Sequence, residues 1–501
     1  MFRTAVDYLK ITEQKFPQKC AYVDEKRSID FSTLKNEAMH VAMAICSADV
    51  KKKPIAIFLD KSVEMIVSFI GVTYSGNFYS PLDTQMPIQR IEKIVDTLQP
   101  ALFITDQAHL EEVKAFSKDA IVLVYEEMQM QEVDVDVVER NYATVIDTDI
   151  SYILFTSGST GVPKGVIISH RSLIDFIEWG KEHFEMDDSL VFGNQVPFYF
   201  SMSVFDIYQT LRNGATMYII PKEHFMAPIH LMSFLDENKI NTLFWVPSAL
   251  TIPAALGALN TPHLNELRNV FFGGESMTVK ILNRWIKEYP DVKFVNFYGP
   301  TEVTDTCTIY EVNRTFDAKE ALPMGTACAN MDVFLLNEND EKVNAMNEIG
   351  EVCVRGTGLS YGYYNNELRT QEAFVQNPLN PFYKETIYKT GDLAYINEYG
   401  EFVYAGRKDF QIKHMGQRIE LGEIETAVSS IEGVEMNCCL YDTKHSRIVL
   451  FYSGNISDEQ IQQELKDMLP VYMIPNRRVY LEEMPMNLNG KIDRQKLKEL
   501  L

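Results

Sequence analysis

The stretch YILFTSGSTGVPKGV, residues 152–166, decides how this 501-residue chain is interpreted. Apolar, β-prone residues enter and leave it, and six consecutive Gly, Ser or Thr residues (156–161) lie between them, followed by Lys164. The pattern predicts a strand, an anion-binding loop and a second strand, because glycines let backbone N–H groups turn toward an anion while hydroxyls and a lysine add donors. An exposed flexible turn is the alternative. The spacing does not fit a G-x-x-x-x-G-K-[ST] loop, so this stretch alone indicates a phosphate, most simply that of a nucleotide.

Length, charge and cysteine content narrow the class of protein. A chain of 501 residues is too long for one core and predicts two or more domains. The net charge of −23 argues against nucleic acid or an anionic membrane surface as the main partner. Seven scattered cysteines form no C-x-x-C pair, which favours reduced thiols over disulfides or a zinc site. With no signal-peptide pattern and no long apolar run, we expect a cytoplasmic protein without a membrane span.

The hydrophobic pattern predicts an α/β fold followed by two different regions. Buried strands alternate with helices before the opening loop (54–105) and again after it (170–296), which is typical of parallel sheets. Residues 321–404 read as short strands with many turns, and residues 126–139 as an acidic solvated connector. After about residue 409 an independent α+β domain is predicted, with a capping box at Ser457 and Gln460.

Seven further motifs carry candidate chemistry, and each is weak alone. NFYGPTE (296–302) places an amide, an aromatic ring, a hydroxyl and a carboxylate at a strand end, where α/β sheets bind ligands, although Gly-Pro also simply ends strands. YKTGDL (388–393) offers a carboxylate for a ribose hydroxyl, or an ordinary Asx turn. NGKID (489–493) carries a lysine that would otherwise be read as a solvated turn residue. The others are FFGGES (271–276), GEV (350–352) leading to GLSYGYYN (358–365), GRKD (406–409) and QIKHMGQRIELGEIE (411–425).

In this order the motifs resemble those of the adenylate-forming superfamily, and the resemblance covers essentially the whole chain. Within it, VPFYFSMSVFDIY, FFGGES, NFYGPTE, YKTGDL and RIELGEIE resemble stand-alone amino-acid adenylation enzymes, most of all D-alanine–carrier protein ligases. The resemblance implies a large N-terminal domain (1–407) of two α/β/α subdomains plus a β-rich distorted barrel. It also implies a hinge at 408–410 around Asp409 and a small mobile α+β domain (411–501).

The resemblance also implies a two-step reaction with ATP and Mg²⁺. A carboxylate attacks the α-phosphate to give acyl-AMP and pyrophosphate, and a phosphopantetheine thiol of a carrier protein, acting in trans as a separate chain, then takes the acyl group. Lys491 matches the catalytic lysine, Glu302 the magnesium ligand, and residues 413–416 the segment presented to the thiol. The matched ATP-binding positions are Thr156, Ser157, Gly158, Ser159, Thr160, Gly161, Lys164, Gly274, Glu275, Asn296, Phe297, Tyr298, Gly299, Pro300, Thr301, Asp392, Tyr404, Arg407 and Lys491.

The acid-binding pocket departs from the pattern. Enzymes for α-amino acids carry an Asp where this chain has Ser201, and an unpaired buried ammonium is costly. We hypothesise that Asp305, where many relatives are apolar, binds the amine from another direction; the alternative is a structural Asp bonded to backbone. Gly273 replaces the cysteine usual in D-alanine ligases and is expected to leave more room. The matched pocket positions are Phe200, Ser201, Met202, Phe205, Trp245, Gly273, Phe297, Asp305 and Lys491.

Two other functions fit parts of the sequence. An acyl- or aryl-CoA ligase would suit an apolar pocket that lacks the usual Asp, and dependence of thioester formation on CoA would identify it. A nucleotide-binding regulator that has lost catalysis would keep the fold alone. The matched catalytic positions argue against that second alternative.

Overall fold

The computed structural model describes residues 2–158, 161–317, 320–486 and 492–501. They form two compact units. The first consists of Met1–Asp83, Gln99–Leu154 and Val166–Lys408, and the second of Thr84–Leu98, Phe155–Gly165 and Asp409–Leu501. The opening loop and the segment Thr84–Leu98 therefore belong to the same unit as the C-terminal part of the chain.

The regular elements follow the alternation predicted from the sequence. The strands are β1 (Cys20–Val23), β2 (Ser28–Asp30), β3 (Pro54–Phe58), β4 (Phe78–Leu82), β5 (Leu102–Thr105), β6 (Ile121–Val124), β7 (Ile150–Thr156), β8 (Lys164–Ser169), β9 (Val191–Asn194), β10 (Thr216–Ile219), β11 (Thr242–Trp245), β12 (Asn269–Gly273), β13 (Lys293–Tyr298), β14 (Thr308–Glu311), β15 (Thr326–Ala327), β16 (Met331–Leu336), β17 (Lys342–Val343), β18 (Gly350–Gly356), β19 (Phe374–Gln376), β20 (Thr386–Ile396), β21 (Phe402–Arg407), β22 (Gln411–His414), β23 (Gln417–Glu420), β24 (Val434–Asp442), β25 (Arg447–Gly454) and β26 (Arg477–Tyr480). The α-helices are α1 (Ala5–Lys15), α2 (Phe31–Ser47), α3 (Val63–Tyr74), α4 (Ile88–Leu98), α5 (Leu110–Phe116), α6 (Tyr125–Met128), α7 (Val135–Tyr142), α8 (His170–His183), α9 (Ser203–Asn213), α10 (Pro228–Glu237), α11 (Pro247–Ala255), α12 (Val279–Glu288), α13 (Glu367–Ala373), α14 (Leu421–Ser429), α15 (Asp458–Met468) and α16 (Arg494–Lys498).

Two mainly parallel sheets confirm the predicted pair of α/β layers. One has the order β6-β5-β3-β4-β7-β8, and its strand β3 is buried along its whole length, as a parallel strand covered on both faces requires. The other has the order β15-β14-β13-β12-β11-β9-β10-β1-β2, parallel from β13 to β1 and antiparallel at both edges. The β-rich region is the antiparallel sheet β17-β16-β18-β20-β19, with β21 paired to β20.

The C-terminal part of the second unit has the predicted α+β composition. Strands β24, β25 and β26 form one sheet, and β22 and β23 form a hairpin that the sequence did not indicate. Helix α15 begins with the predicted capping box, because Ser457 Oγ accepts from the Gln460 N–H at 3.2 Å and the Gln460 side chain accepts from the Ser457 N–H at 3.1 Å.

The predicted acidic connector is wrong. Residues 126–139 include most of α6 and the first part of α7, and Val138 and Tyr142 of α7 are buried in the main core. Asp134 caps α7 by accepting from the N–H groups of Asp136 and Val137. The acidic residues on the exposed face of α7 masked, in the sequence, the apolar pattern of its buried face. Within the described ranges, no helix is long and apolar enough to cross a membrane.

Candidate functional site

A buried network in the first unit joins three of the predicted nucleotide ligands. Arg407 Nη1 donates to Asp392 Oδ1 at 2.6 Å, and Tyr298 Oη donates to Asp392 Oδ2, also at 2.6 Å. The Asp392 and Arg407 side chains are only 3% and 8% exposed. Burial, with the Asp392 charge beside it, raises the pKa of Tyr298 well above its usual value, so the phenol stays a donor. The geometry fixes a carboxylate beside an aromatic ring at the end of parallel strand β13, where α/β sheets bind ligands.

Of the remaining predicted ATP positions in this unit, Tyr404 lies on β21, and the others lie on β13 or on the turns that follow β12 and β13. Asn296 Nδ2 donates to the Pro323 carbonyl at 2.8 Å, which fixes the orientation of its amide. Glu275 accepts from the Ser248 N–H at 2.9 Å, and Gly274 adopts a left-handed φ of 81°. Pro300 precedes a 3₁₀ turn, Thr301–Val303, and Tyr404 lies exposed on β21.

Glu302, the predicted metal ligand, is fully buried on that 3₁₀ turn and accepts from the Tyr363 hydroxyl at 2.7 Å. Among the described residues, no group of three or more His, Cys, Asp or Glu side chains is arranged to hold a metal ion. A single oriented carboxylate still fits Mg²⁺, which usually takes one or two carboxylates together with substrate phosphates and water. Tyr363 was not singled out from the sequence as a site residue, although it stands in the GLSYGYYN motif.

The predicted acid pocket is largely aromatic. Phe297 packs against Phe205 and Phe244, with ring centroids 5.8 and 4.8 Å apart, and both Phe205 and Trp245 are fully buried. Trp245 Nε1 donates to the Gly193 carbonyl at 2.7 Å, so its polar atom is satisfied inside the protein. Met202 is also buried, and Phe200 is partly buried against the main core.

The expectation that Gly273 opens the pocket is wrong. A Cβ at this position would come 2.7 Å from the Phe297 carbonyl oxygen and 3.2 Å from Phe297 Cβ. Strands β12 and β13 are paired here, with Gly273 opposite Phe297, so the glycine permits a close approach of the two strands. The space that a side chain at position 273 would take is occupied by Phe297 of the neighbouring strand.

Ser201 and Asp305 are in direct contact. The sequence related them only through the hypothesis that Asp305 replaces an aspartate at position 201. Ser201 Oγ donates to Asp305 Oδ1 at 2.8 Å, and Thr306 Oγ1 donates to Asp305 Oδ2 at 3.1 Å. Ser201 Oγ also accepts from Thr301 Oγ1 at 3.4 Å. These three hydrogen bonds join side chains.

Sequence reasoning missed a second polar cluster in this unit, formed by Lys61 and Asp206. Asn194 Nδ2 donates to Asp206 Oδ2 at 2.9 Å, and Lys61 Nζ donates to the Gln195 carbonyl at 3.1 Å. Burial and, to a smaller extent, the charge of Asp305 raise the pKa of Asp206 to about 8, against the hydrogen bond from Asn194 and the charge of Lys61. Burial lowers the pKa of Lys61 to about 7, against the charge of Asp206. The available signal was the position of Lys61 just after parallel strand β3.

The predicted phosphate loop lies in the second unit, between β7 and β8 as expected. Ser157 Oγ donates to the Arg418 carbonyl at 2.7 Å, and the Gly158 N–H donates to a Glu423 carboxylate oxygen at 3.3 Å. Lys164 Nζ lies 3.8 Å from a Glu420 carboxylate oxygen. Two loop donors therefore face carboxylates, which shows that the loop accommodates anionic oxygens.

Local geometry explains the glycines of this loop. A Cβ at Gly158 would lie 2.0 Å from the Val162 carbonyl oxygen, and Gly161 has a left-handed φ of 77°. The Thr156 hydroxyl is buried and has no hydrogen-bond partner among the described residues. Arg90 of α4, which the sequence did not single out, forms a buried ion pair with Glu423. Ser159 and Thr160 lie outside the described residues.

Two predicted residues concern the C-terminal part of the chain. Asp409 is the first residue of the third segment of the second unit; it is exposed and accepts from the Gln411 N–H at 3.1 Å. Lys491, the predicted catalytic lysine, lies outside the described residues.

The fold and these residues define a nucleotide-binding α/β protein. The chain belongs to the AMP-binding enzyme family, which it matches over residues 9–364. This confirms the family resemblance read from the motifs. The match runs from α1 to the GLSYGYYN motif and includes Thr156, Asn296 and Glu302.

The chain is similar to curated proteins of very different lengths. It is 31% identical over 508 residues to the D-alanine–D-alanyl carrier protein ligase of Bacillus velezensis, with 99% of each chain aligned. It is 30% identical over 491 residues to tyrocidine synthase 3 of Brevibacillus parabrevis, an alignment that takes in 96% of this chain. The chain spans only about 7% of the length of that synthase.

A solved structure shares the fold. The adenylation domain AlmE of Vibrio cholerae, in complex with glycyl-adenosine-5′-phosphate, superposes with a TM-score of 0.86 at 22% identity, over 100% of this chain and 98% of that chain. The predicted fold class, a large N-terminal α/β region with a β-rich subdomain and a small α+β region, is confirmed.

Proposed function

We propose that this protein uses ATP to activate a carboxylic acid that bears an amine. It then transfers the acyl group to the phosphopantetheine thiol of a carrier protein that acts in trans. In the first step a carboxylate oxygen bonds to the α-phosphorus, and the bond to the β-phosphate oxygen breaks to release pyrophosphate. In the second step the thiol sulfur attacks the acyl carbon and AMP leaves. The two steps make the protein an acid–thiol ligase similar to D-alanine–carrier protein ligases.

The observation that carries this proposal is the buried Tyr298–Asp392–Arg407 network in a chain of the AMP-binding enzyme family. Asp392 would accept from the ribose hydroxyls, with Arg407 keeping it ionised, and Tyr298 and Asn296 would flank the adenine. Similarity to a carrier protein ligase along 99% of both chains supports the carrier protein as acceptor.

Catalysis in the first step would consist mainly of charge neutralisation and positioning, because both reactants are anions. Thr156, Ser157 and Lys164 would hold the leaving pyrophosphate, and Lys491 would meet the reacting carboxylate and the α-phosphate. Glu302 would hold Mg²⁺, which neutralises phosphate charge when bound. The residues around Asp409 would act as a hinge (408–410) between a core (1–407) and a mobile domain (411–501), since a hinge needs only a few residues that change φ and ψ.

The CoA-ligase alternative is less well supported, because the predicted pocket positions include the buried aspartate Asp305 as well as aromatic residues. We place the reaction in the cytoplasm, where thiols stay reduced, since no disulfide joins any of the seven cysteines.

Pyrophosphate exchange into ATP tests the proposal. The protein is assayed with α-amino, β-amino, aryl and short fatty acids, and the thioester step is then measured with CoA and with a phosphopantetheine-bearing carrier protein. Acid-dependent exchange and carrier-dependent thioester formation are expected. If none of these acids supports exchange, adenylate formation is refuted. If a thioester forms with CoA but not with the carrier protein, the carrier assignment is refuted.

A further inference from the structure

The predicted acid pocket has its carboxylate at Asp305, beside Ser201, and not at position 201 itself. The Oγ atom of Ser201 lies where the Cγ atom of an aspartate at this position would lie. The carboxylate oxygens of that aspartate would be roughly 1.2 Å from its Cγ. In this protein a carboxylate oxygen, Asp305 Oδ1, lies 2.8 Å from Ser201 Oγ. Asp305 and Ser201 are 6% and 9% exposed, so both belong to the protein interior.

The backbone fixes this carboxylate. Thr304 and Asp305 are consecutive non-glycine residues with left-handed φ values of 57° and 75°, a conformation that costs free energy and persists where the surrounding structure holds it. The Asp305 carbonyl oxygen lies so close to Gly299 that a Cβ there would be 2.3 Å away. Hydroxyls of Ser201 and Thr306 then orient the two carboxylate oxygens.

Neighbouring charges make this place favourable for a cation. Burial is the main cause of the raised pKa values of Asp206 and Tyr152, and the negative charge of Asp305 contributes a smaller part to each. An ammonium beside Asp305 would be attracted by that charge, and attraction between opposite charges is strong in a buried site. Lys61, the lysine of this cluster, donates instead to the carbonyl groups of Asn194 and Gln195.

We propose that Asp305 binds the substrate ammonium in place of a carboxylate at position 201, and that the acid activated is a β-amino acid. The carboxylate oxygens have moved by more than one carbon–carbon bond, roughly 1.5 Å, which matches an amine placed one carbon further along the acid. Ser201 acts as a positioning residue that orients Asp305. This inference rests on the proposed adenylation function and names its substrate class.

Pyrophosphate exchange with three acids of one skeleton tests the inference: 2-aminobutyrate, 3-aminobutyrate and butyrate. The wild-type protein is expected to prefer 3-aminobutyrate in kcat/KM by on the order of 10²-fold, since a buried charged hydrogen bond is made with it alone. Asp305→Asn should lose that preference, mainly through a higher KM for 3-aminobutyrate.

Two further variants keep the result interpretable. Asparagine tolerates the left-handed φ at 305, and Asp340→Asn is the matched control, an aspartate at a φ of 61° on an exposed turn. Asp340→Asn should leave all three rates unchanged. Combining Ser201→Asp with Asp305→Asn should turn the preference toward 2-aminobutyrate.

The outcomes separate this inference from the proposed function. Exchange that is equal for the α- and β-amino acids, or an Asp305→Asn variant that keeps the β preference, would overturn the inference and leave adenylation standing. If none of the α-amino, β-amino, aryl and short fatty acids supports exchange, adenylation itself is overturned.

Discussion

Replacing Asp392 by asparagine tests whether the buried network both stabilises the first unit and binds the nucleotide. The change removes the charge opposite Arg407 but keeps an acceptor for Tyr298. Breaking a buried ion pair costs about 3–5 kcal/mol. We expect the lower end, about 3 kcal/mol, because Arg407 still donates to the Thr390 carbonyl at 3.2 Å.

An exposed pair gives the matched control. Arg355 and Asp332 are joined at 2.8 Å but are 40% and 52% exposed. Exposed pairs contribute about 0–1 kcal/mol, so Asp332→Asn should barely change the free energy of unfolding.

Denaturant titration followed by tryptophan fluorescence measures the difference. The three tryptophans of the chain, Trp179, Trp245 and Trp285, all lie in the first unit, so their signal reports its unfolding. In pyrophosphate exchange, Asp392→Asn should also raise the KM for ATP by about 10- to 100-fold, the value of a charge-assisted hydrogen bond. Equal stability of the two variants would refute the burial argument, and an unchanged KM would refute the ribose assignment.

Three more substitutions give distinct expectations. Burial lowers the pKa of His170 to about 4, against the charges of nearby aspartates, so its folded state resists protonation. Between pH 6.5 and 4 the wild type should therefore lose about 3 kcal/mol more stability than His170→Asn, and parallel pH curves would contradict this. Gly158→Ala places a Cβ 2.0 Å from a carbonyl oxygen and should raise the KM for ATP at least about 10-fold; normal kinetics would show that the loop does not hold ATP. Thr156→Val removes a buried hydroxyl without a partner among the described residues, so thermal stability should be equal or higher while the KM for ATP rises about 10-fold; a loss of stability would mean the hydroxyl serves the fold.

Local patterns in the sequence predicted the elements that depend on neighbouring residues. Strand–loop–strand order around Lys164 and the capping box at Ser457 follow from short-range chemistry and are present in the structure. The family motifs placed Tyr298, Asp392 and Arg407 among the nucleotide ligands, and the structure joins them.

Features set by long-range packing were beyond sequence reasoning. Lys61 and Asp206 are far apart in the chain, and the fold brings them close enough for the charge of Asp206 to affect the pKa of Lys61. Gly273 could be read as open space because its close contact with Phe297 depends on strand register. Arg90 lies on a helix whose amphipathic pattern gave no sign of its buried partner, Glu423.

The most direct test of adenylation is acid-dependent pyrophosphate exchange by the wild-type protein and by Lys491→Ala at saturating ATP. The wild type should exchange pyrophosphate into ATP only when an acid is present, and fastest with an amine-bearing acid. The variant should be slower by about 10²–10³-fold, the usual effect of removing a preorganised charge from a transition state. Equal rates in the two proteins, or exchange that does not depend on the acid, would contradict the account.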